Sequence, residues 1–133
     1  MVHSKKSLLT ILITLAALLL VLVGCSTDKS KQATKPNNQI AVTYQLQNDG
    51  KKIAEKKVHT KKNAKVITGL KKAWTVKDKE GMITSIDGYQ QDSDKNIFWT
   101  YTINDKTIKK GAQEQKVKNN DKVTFNLSKY QDD

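Results

Sequence analysis

An apolar run from Leu8 to Val23, broken only by Thr10 and Thr14, leads straight to Cys25, the one cysteine in the chain. Ahead of it stands a short basic start, Met1-Val-His-Ser-Lys5-Lys6. A charged start, an apolar middle and a small residue at the cut is the layout of a secretory signal. The run has 16 residues, fewer than the roughly 20 of a spanning helix. Residues 1–24 are therefore expected to leave the fold, and removing 24 of 133 leaves 109. A lone cysteine also forbids any disulfide within the chain. A small exported domain without such staples must be held by its core alone, which favours a regular architecture.

Leu22-Val23-Gly24-Cys25 resembles the lipobox of bacterial lipoproteins. That resemblance implies cleavage before Cys25, acylation of its sulfur and attachment to the extracellular face of the cell membrane. Two acyl chains anchor stably where one is marginal. From Ser26 to Asn38 there is almost nothing apolar, and the only proline, Pro36, lies there. Such a stretch cannot offset its ordering entropy by burial, so residues 25–38 are expected to be a lipidated, flexible stalk. Residues 39–131 then form one small domain.

All 24 basic residues are lysine. After Lys5 and Lys6 leave with the signal, 22 lysines face 13 acidic residues, a net +9. Nucleic acid is not the expected partner. Base and phosphate recognition favour the bidentate fork of arginine, which the chain lacks. A lysine-rich solvated surface beside anionic headgroups or wall polymers fits better.

Ile40, Val42, Tyr44 and Leu46 alternate with Ala41, Thr43 and Gln45, the period of a half-buried strand. Asn48-Asp49-Gly50 suits a tight hairpin turn, and residues 51–59 read as the return strand, an edge laden with lysine. Val66, Ile67, Leu70, Ala73 and Trp74 recur at helical spacing. Gly69 costs such a helix about 1 kcal/mol relative to alanine, so a short helix over 64–76 is expected, with Trp74 partly exposed near its end. Residues 77–81 should end it. Residues 82–86 read as a strand closed by Asp87-Gly88. Ile97, Trp99, Tyr101 and Ile103 mark the clearest strand of all, and Asn104-Asp105-Lys106 a turn. Val117 suggests a further short strand, Asn119-Asn120-Asp121 a turn, and Val123, Phe125 and Leu127 the last strand. A hairpin, one helix and then strands predict an α+β domain, with the helix on one face of a mixed sheet in a β-grasp-like arrangement.

Four segments carry a family resemblance: residues 81–88, Phe98-Trp99-Thr-Tyr101-Thr-Ile-Asn104, Lys110-Gly111-Ala112, and Asn120-Asp121-Lys-Val-Thr-Phe125. Together they resemble the transcobalamin-like C-terminal domain of small bacterial lipoproteins and of animal vitamin B12 carriers. The resemblance covers residues 40–130. In the animal carriers this domain closes over a corrin ring held by a larger helical domain. This sequence has no room for the helical domain, and Asn120-Asp121 stands where the family has Gly-Asp. The resemblance implies the fold more directly than it implies B12.

Trp99 either offers a flat apolar face with a polar N–H to a ring-shaped ligand or fills the core. Tyr89 lies in the loop region that faces ligand in the family, and Tyr101 shares the strand face of Trp99. Gly111 and Ala112 would let backbone approach a ligand edge, or simply make a turn. Asp87, Asp92 and Asp94 suggest calcium, but Ile97 stands where the loop glycine belongs and Ile103 where the final glutamate belongs. No metal and no cofactor is expected. His59 is a lone surface histidine, and no nucleophile, base or metal set is recognisable, so no enzyme is expected. The reading is a membrane-anchored extracellular module that captures or presents a small molecule, a corrinoid or another flat nutrient, for a transporter or surface partner. The alternative is an adhesion module that contacts wall polymer, glycan or a membrane partner through its lysines.

Overall fold

The computed structural model describes residues 38–132. The cleavage and lipidation expected at Cys25, and the stalk expected over residues 25–38 apart from Asn38, fall outside the described residues. Residues Asn37–Asp133 form a compact unit of their own.

Strand β1 (Gln39–Asn48) and strand β2 (Lys51–Lys61) pair antiparallel from Asn48↔Lys51 to Gln39↔Lys61. Asp49 and Gly50 both take positive φ, 52° and 79°, the backbone of the hairpin turn whose twist matches that of the strands. The same pattern closes two more hairpins. Glu80-Gly81 (φ 51° and 82°) joins β3 (Val76–Lys79) to β4 (Met82–Ile86), and Asp87-Gly88 (φ 50° and 81°) joins β4 to β5 (Tyr89–Gln90). Asn104-Asp105 (φ 51° and 65°) makes the fourth, between β6 (Ile97–Ile103) and β7 (Lys106–Thr107). Strand β8 (Lys122–Lys129) ends the domain.

Strands β2, β1, β8, β6 and β7 form one sheet in that order, and β3, β4 and β5 form a second. Strand β8 runs parallel to β1 and antiparallel to β6, so the first and last strands meet at the centre, as in a β-grasp. One helix, α1 (Val66–Ala73), packs against β2 and β1. It buries Val66, Gly69, Leu70 and Ala73 in the same core as Tyr44, Leu46, Val123 and Phe125. The expected α+β class, with one α-helix on a mixed sheet, is what the described residues adopt.

The helix is shorter than the 64–76 that periodicity predicts. Asn63 at φ 65° and the Ala64 N–H donating to the Lys61 carbonyl at 3.1 Å hold residues 62–64 in a turn. At the other end Trp74 is extended, φ −144°, and Val76 begins β3. Residues 77–79 are thus strand and not a helix terminus. No side chain caps α1. Two of its unpaired first-turn donors find loop carbonyls instead: Val66 N–H reaches Gln115 O at 2.8 Å and Ile67 N–H reaches Ala112 O at 2.9 Å. This corrects the strand expected around Val117. That residue is buried (2% exposed) in an irregular segment, its N–H donating to the Ala64 carbonyl at 2.9 Å.

Trp74 needs the same correction. It is only 7% exposed and belongs to the core, under the Lys56 ammonium 5.5 Å from its ring centroid. Trp99 is the half-buried tryptophan of the two.

Candidate apolar site beside strand β6

Strand β7 pairs only with Thr102 and Ile103 of β6, which leaves Phe98–Tyr101 open along that side. Phe98 and Thr100 lie on one face of the strand, Trp99 and Tyr101 on the other. At this open edge Met82, Gln91, Phe98, Trp99, Thr100 and Tyr130 line a hollow of about 300 Å³. Two of its walls are large apolar groups left in solvent: Met82 is 55% exposed and Tyr130 50%. Such a cluster of exposed apolar groups around a concavity is the usual mark of a contact surface.

The indole of Trp99 is fixed in place. Its Nε1–H donates to the Tyr89 carbonyl at 3.1 Å, which ties β6 to the β4–β5 hairpin. Gln91, just past that hairpin, donates its Nε2–H to Met82 Sδ at 3.7 Å. Its Oε1 is buried with no partner among the described residues. The hollow is therefore walled mainly by apolar groups, with Gln91 held beside them by its contact with Met82.

The sequence-derived candidates divide into two groups. Trp99 lines the hollow, and Tyr89 reaches it only through the carbonyl that holds the Trp99 indole. Tyr101 instead stacks on Phe125, with centroids 5.2 Å apart, and its hydroxyl donates to the Lys110 carbonyl. Burial pushes the Tyr101 phenol above its ordinary pKa. Gly111 follows, its carbonyl accepting the N–H groups of Glu114 and Gln115 at 3.0 Å each. Ala112 is 5% exposed and serves α1. Tyr101, Gly111 and Ala112 do not line the hollow. Met82, Gln91, Phe98, Thr100 and Tyr130 do, and none was among the candidates. Phe98 alone carried a local signal, a large apolar residue on the strand face opposite Trp99 and Tyr101.

Asp92 has a structural task. Its carboxylate accepts the Lys95 N–H at 3.3 Å and pairs with the Lys95 ammonium at 3.5 Å, capping the short 3₁₀ turn Ser93–Lys95. Asn96 closes that turn in the left-handed region, φ 59°. Among the described residues no three His, Cys, Asp or Glu side chains come together as a metal site.

Residues 63–129 match the family described as Domain of unknown function (DUF4430). The chain belongs to the DUF4430 family. Its match runs from the turn before α1 to the end of β8, and so includes most of the hollow. Haptocorrin, solved in complex with Cbi, shares the fold with a TM-score of 0.61 and 18% identity over 70% of this chain and 26% of haptocorrin. This DUF4430 chain thus spans about a quarter of haptocorrin. A candidate metal-binding protein from Ruminococcus gnavus ATCC 29149 has a TM-score of 0.54 and 16% identity, over 69% of this chain and 99% of its own. At such identities the likeness is one of fold. No curated protein sequence matches the chain.

Proposed function

We propose that this DUF4430 domain is a binding module and not an enzyme, held to the outer side of the membrane by lipid on Cys25. It lays the flat apolar face of a small molecule against Met82, Phe98, Trp99 and Tyr130. The hollow carries the reading: apolar walls left open to solvent. A hollow of about 300 Å³ lies at the small end for a ligand pocket. It supplies one wall for a ring system and does not enclose it. Haptocorrin's complex with Cbi makes a corrinoid the first ligand to try, and haem a second. The metal-binding description of the Ruminococcus gnavus protein gains no support here, because the described residues assemble no donor set.

The test is a thermal-shift screen of residues 26–133 with corrinoids, haem and metal ions. A ligand that binds only the folded state stabilises it by about 2.7 kcal/mol at a hundredfold excess over Kd. The expected hit is a flat ring compound that raises Tm. A response to metal ions alone would contradict the reading.

A further inference from the structure

The charge of the chain is concentrated in one place. Residues 51–79 hold 11 lysines against Glu55 and Asp78, a net +9. The rest of the chain from Cys25 on holds 11 lysines and 11 acidic residues, a net of zero. Residues 51–79 are β2, α1 and β3, and β2 is the outermost strand of its sheet. Two hollows meet there and share Lys72. One of about 560 Å³ is lined by Lys56, Lys71 and Lys72 beside Trp74, and one of about 440 Å³ by Lys61, Lys62, Lys65 and Lys72. Lys57 and Lys61 alternate with Lys56 along β2, so the basic surface wraps around the edge.

Lys56, Lys65 and Lys72 each donate to a carbonyl, of Ala73, Glu114 and His59, at 2.8, 3.2 and 3.2 Å. A carbonyl fixes an ammonium group without neutralising it. Lysines on β2 would keep an edge strand from pairing with another chain. That device does not account for Lys62, Lys65 and Lys72, which lie beyond the strand; Lys71, also beyond it, pairs with Asp78 at 3.4 Å. Like charges gathered this closely cost stability unless something anionic meets them.

The tether joins the domain at this same face. The Asn38 carbonyl accepts the Lys62 N–H at 2.8 Å, Gln39 pairs with Lys61, and both line a hollow with Lys61 and Lys62. Ser26 to Asn38 is 13 residues, and a chain of that length reaches at most about 45 Å.

We propose that the β2–α1 face docks on the anionic lipid headgroups of the membrane that holds the chain, an inference that rests on the tethered reading of Cys25. Strand β6 stands three strands from β2, about 14 Å away. Docking through β2 turns the apolar hollow away from the bilayer, where a solute or a partner can reach it.

The test uses residues 26–133, which contain the whole compact unit and lack Cys25. Co-sedimentation is measured with vesicles of phosphatidylcholine and with vesicles that also contain phosphatidylglycerol. Binding is expected only with phosphatidylglycerol. It should fade as salt shortens the Debye length from about 10 Å at 0.1 M to 3 Å at 1 M. The triple variant K57Q/K61Q/K62Q, at exposed positions, should bind roughly 100-fold more weakly, about fivefold per lysine. K106Q/K109Q/K110Q carries the same change of charge at the far edge and should keep most of the binding. Circular dichroism verifies that both remain folded. Equal losses in the two variants, equal binding to phosphatidylcholine, or no binding at all would each overturn the docking. Lipid labelling of the full chain and of Cys25→Ser reads the tether separately. An unlabelled wild type would remove the tether and this orientation, whereas label without vesicle binding would remove the docking alone.

Discussion

Gly69 sits in the middle of α1, the one α-helix among the described residues, where propensity alone favours alanine by about 1 kcal/mol. Its neighbour explains the choice. A Cβ at this position would stand 2.6 Å from Tyr44 Cζ and closer still to the hydroxyl oxygen, so the glycine is what lets α1 settle on the fully buried Tyr44. Gly69→Ala is expected to destabilise the domain by about 1–3 kcal/mol, the usual cost of overpacking, as read by urea unfolding. Tyr44 itself donates its hydroxyl to the Val66 carbonyl at 2.9 Å. Burial, and secondarily the charge of Asp121, push its phenol well above the ordinary 10.0. A raised folded-state pKa means that the native state holds the proton longer than the unfolded chain does. The stability so gained is complete below pH 10 and is lost as the pH rises above it. Tyr44→Phe should flatten that alkaline decline, measured as Tm against pH from neutral upward. The two tryptophans separate by burial. Trp74→Ala should cost about 3–5 kcal/mol, whereas Trp99→Ala should cost less and act on the hollow, a contrast that paired urea titrations would expose.

Among elements, the clearest joint lies where β8 begins. Asp121 accepts from Asn104 Nδ2 at 2.9 Å and from the Lys118 N–H at 2.8 Å, while Asn104 Oδ1 accepts the Lys122 N–H at 2.9 Å. The Asp121 carbonyl takes the Thr43 N–H at 2.9 Å, so one residue links the β6–β7 turn, β8 and β1. Asp121→Ala should destabilise by about 1–3 kcal/mol. Combined with Asn104→Ala it should cost less than the sum of the two, since both variants break the Asn104–Asp121 bond. Asn120 just before it lies at φ 67°, a left-handed position that asparagine and glycine share, which explains why it can stand where the family has glycine. Strands β1, β2, β4, β6 and β8 were legible because each alternates around a buried face, and Asp49-Gly50 and Asp87-Gly88 were legible because such pairs suit tight turns. Strand β3 was not, since its exposure pattern gives it no buried face. Nor was the segment around Val117, whose hydrogen bonds run to α1 roughly 50 residues back. Of the residues that line the hollow, only Trp99 was legible. The other walls come from residues that local periodicity assigns to solvent, and they converge because β7 leaves part of β6 unpaired, a fact of topology and not of pattern.

The whole molecule presents two unlike surfaces on one small sheet: an apolar hollow beside β6 and a lysine face around β2. The separation follows from strand order, because β1 and β8 lie between them. On the proposed reading such a module is held by one edge while the other stays free, and it offers one wall of a ligand site for a second surface to complete. Everything in that description turns on whether the hollow binds. Calorimetric titration of residues 26–133 with a corrinoid, in parallel with Phe98→Ala and Trp99→Ala, tests this most directly. The account predicts saturable binding with a negative heat-capacity change, from burial of apolar surface, and a loss of at least tenfold in affinity in each variant while both stay folded. Binding of undiminished strength in both folded variants, or no binding of any flat ring compound by the wild type, would contradict it.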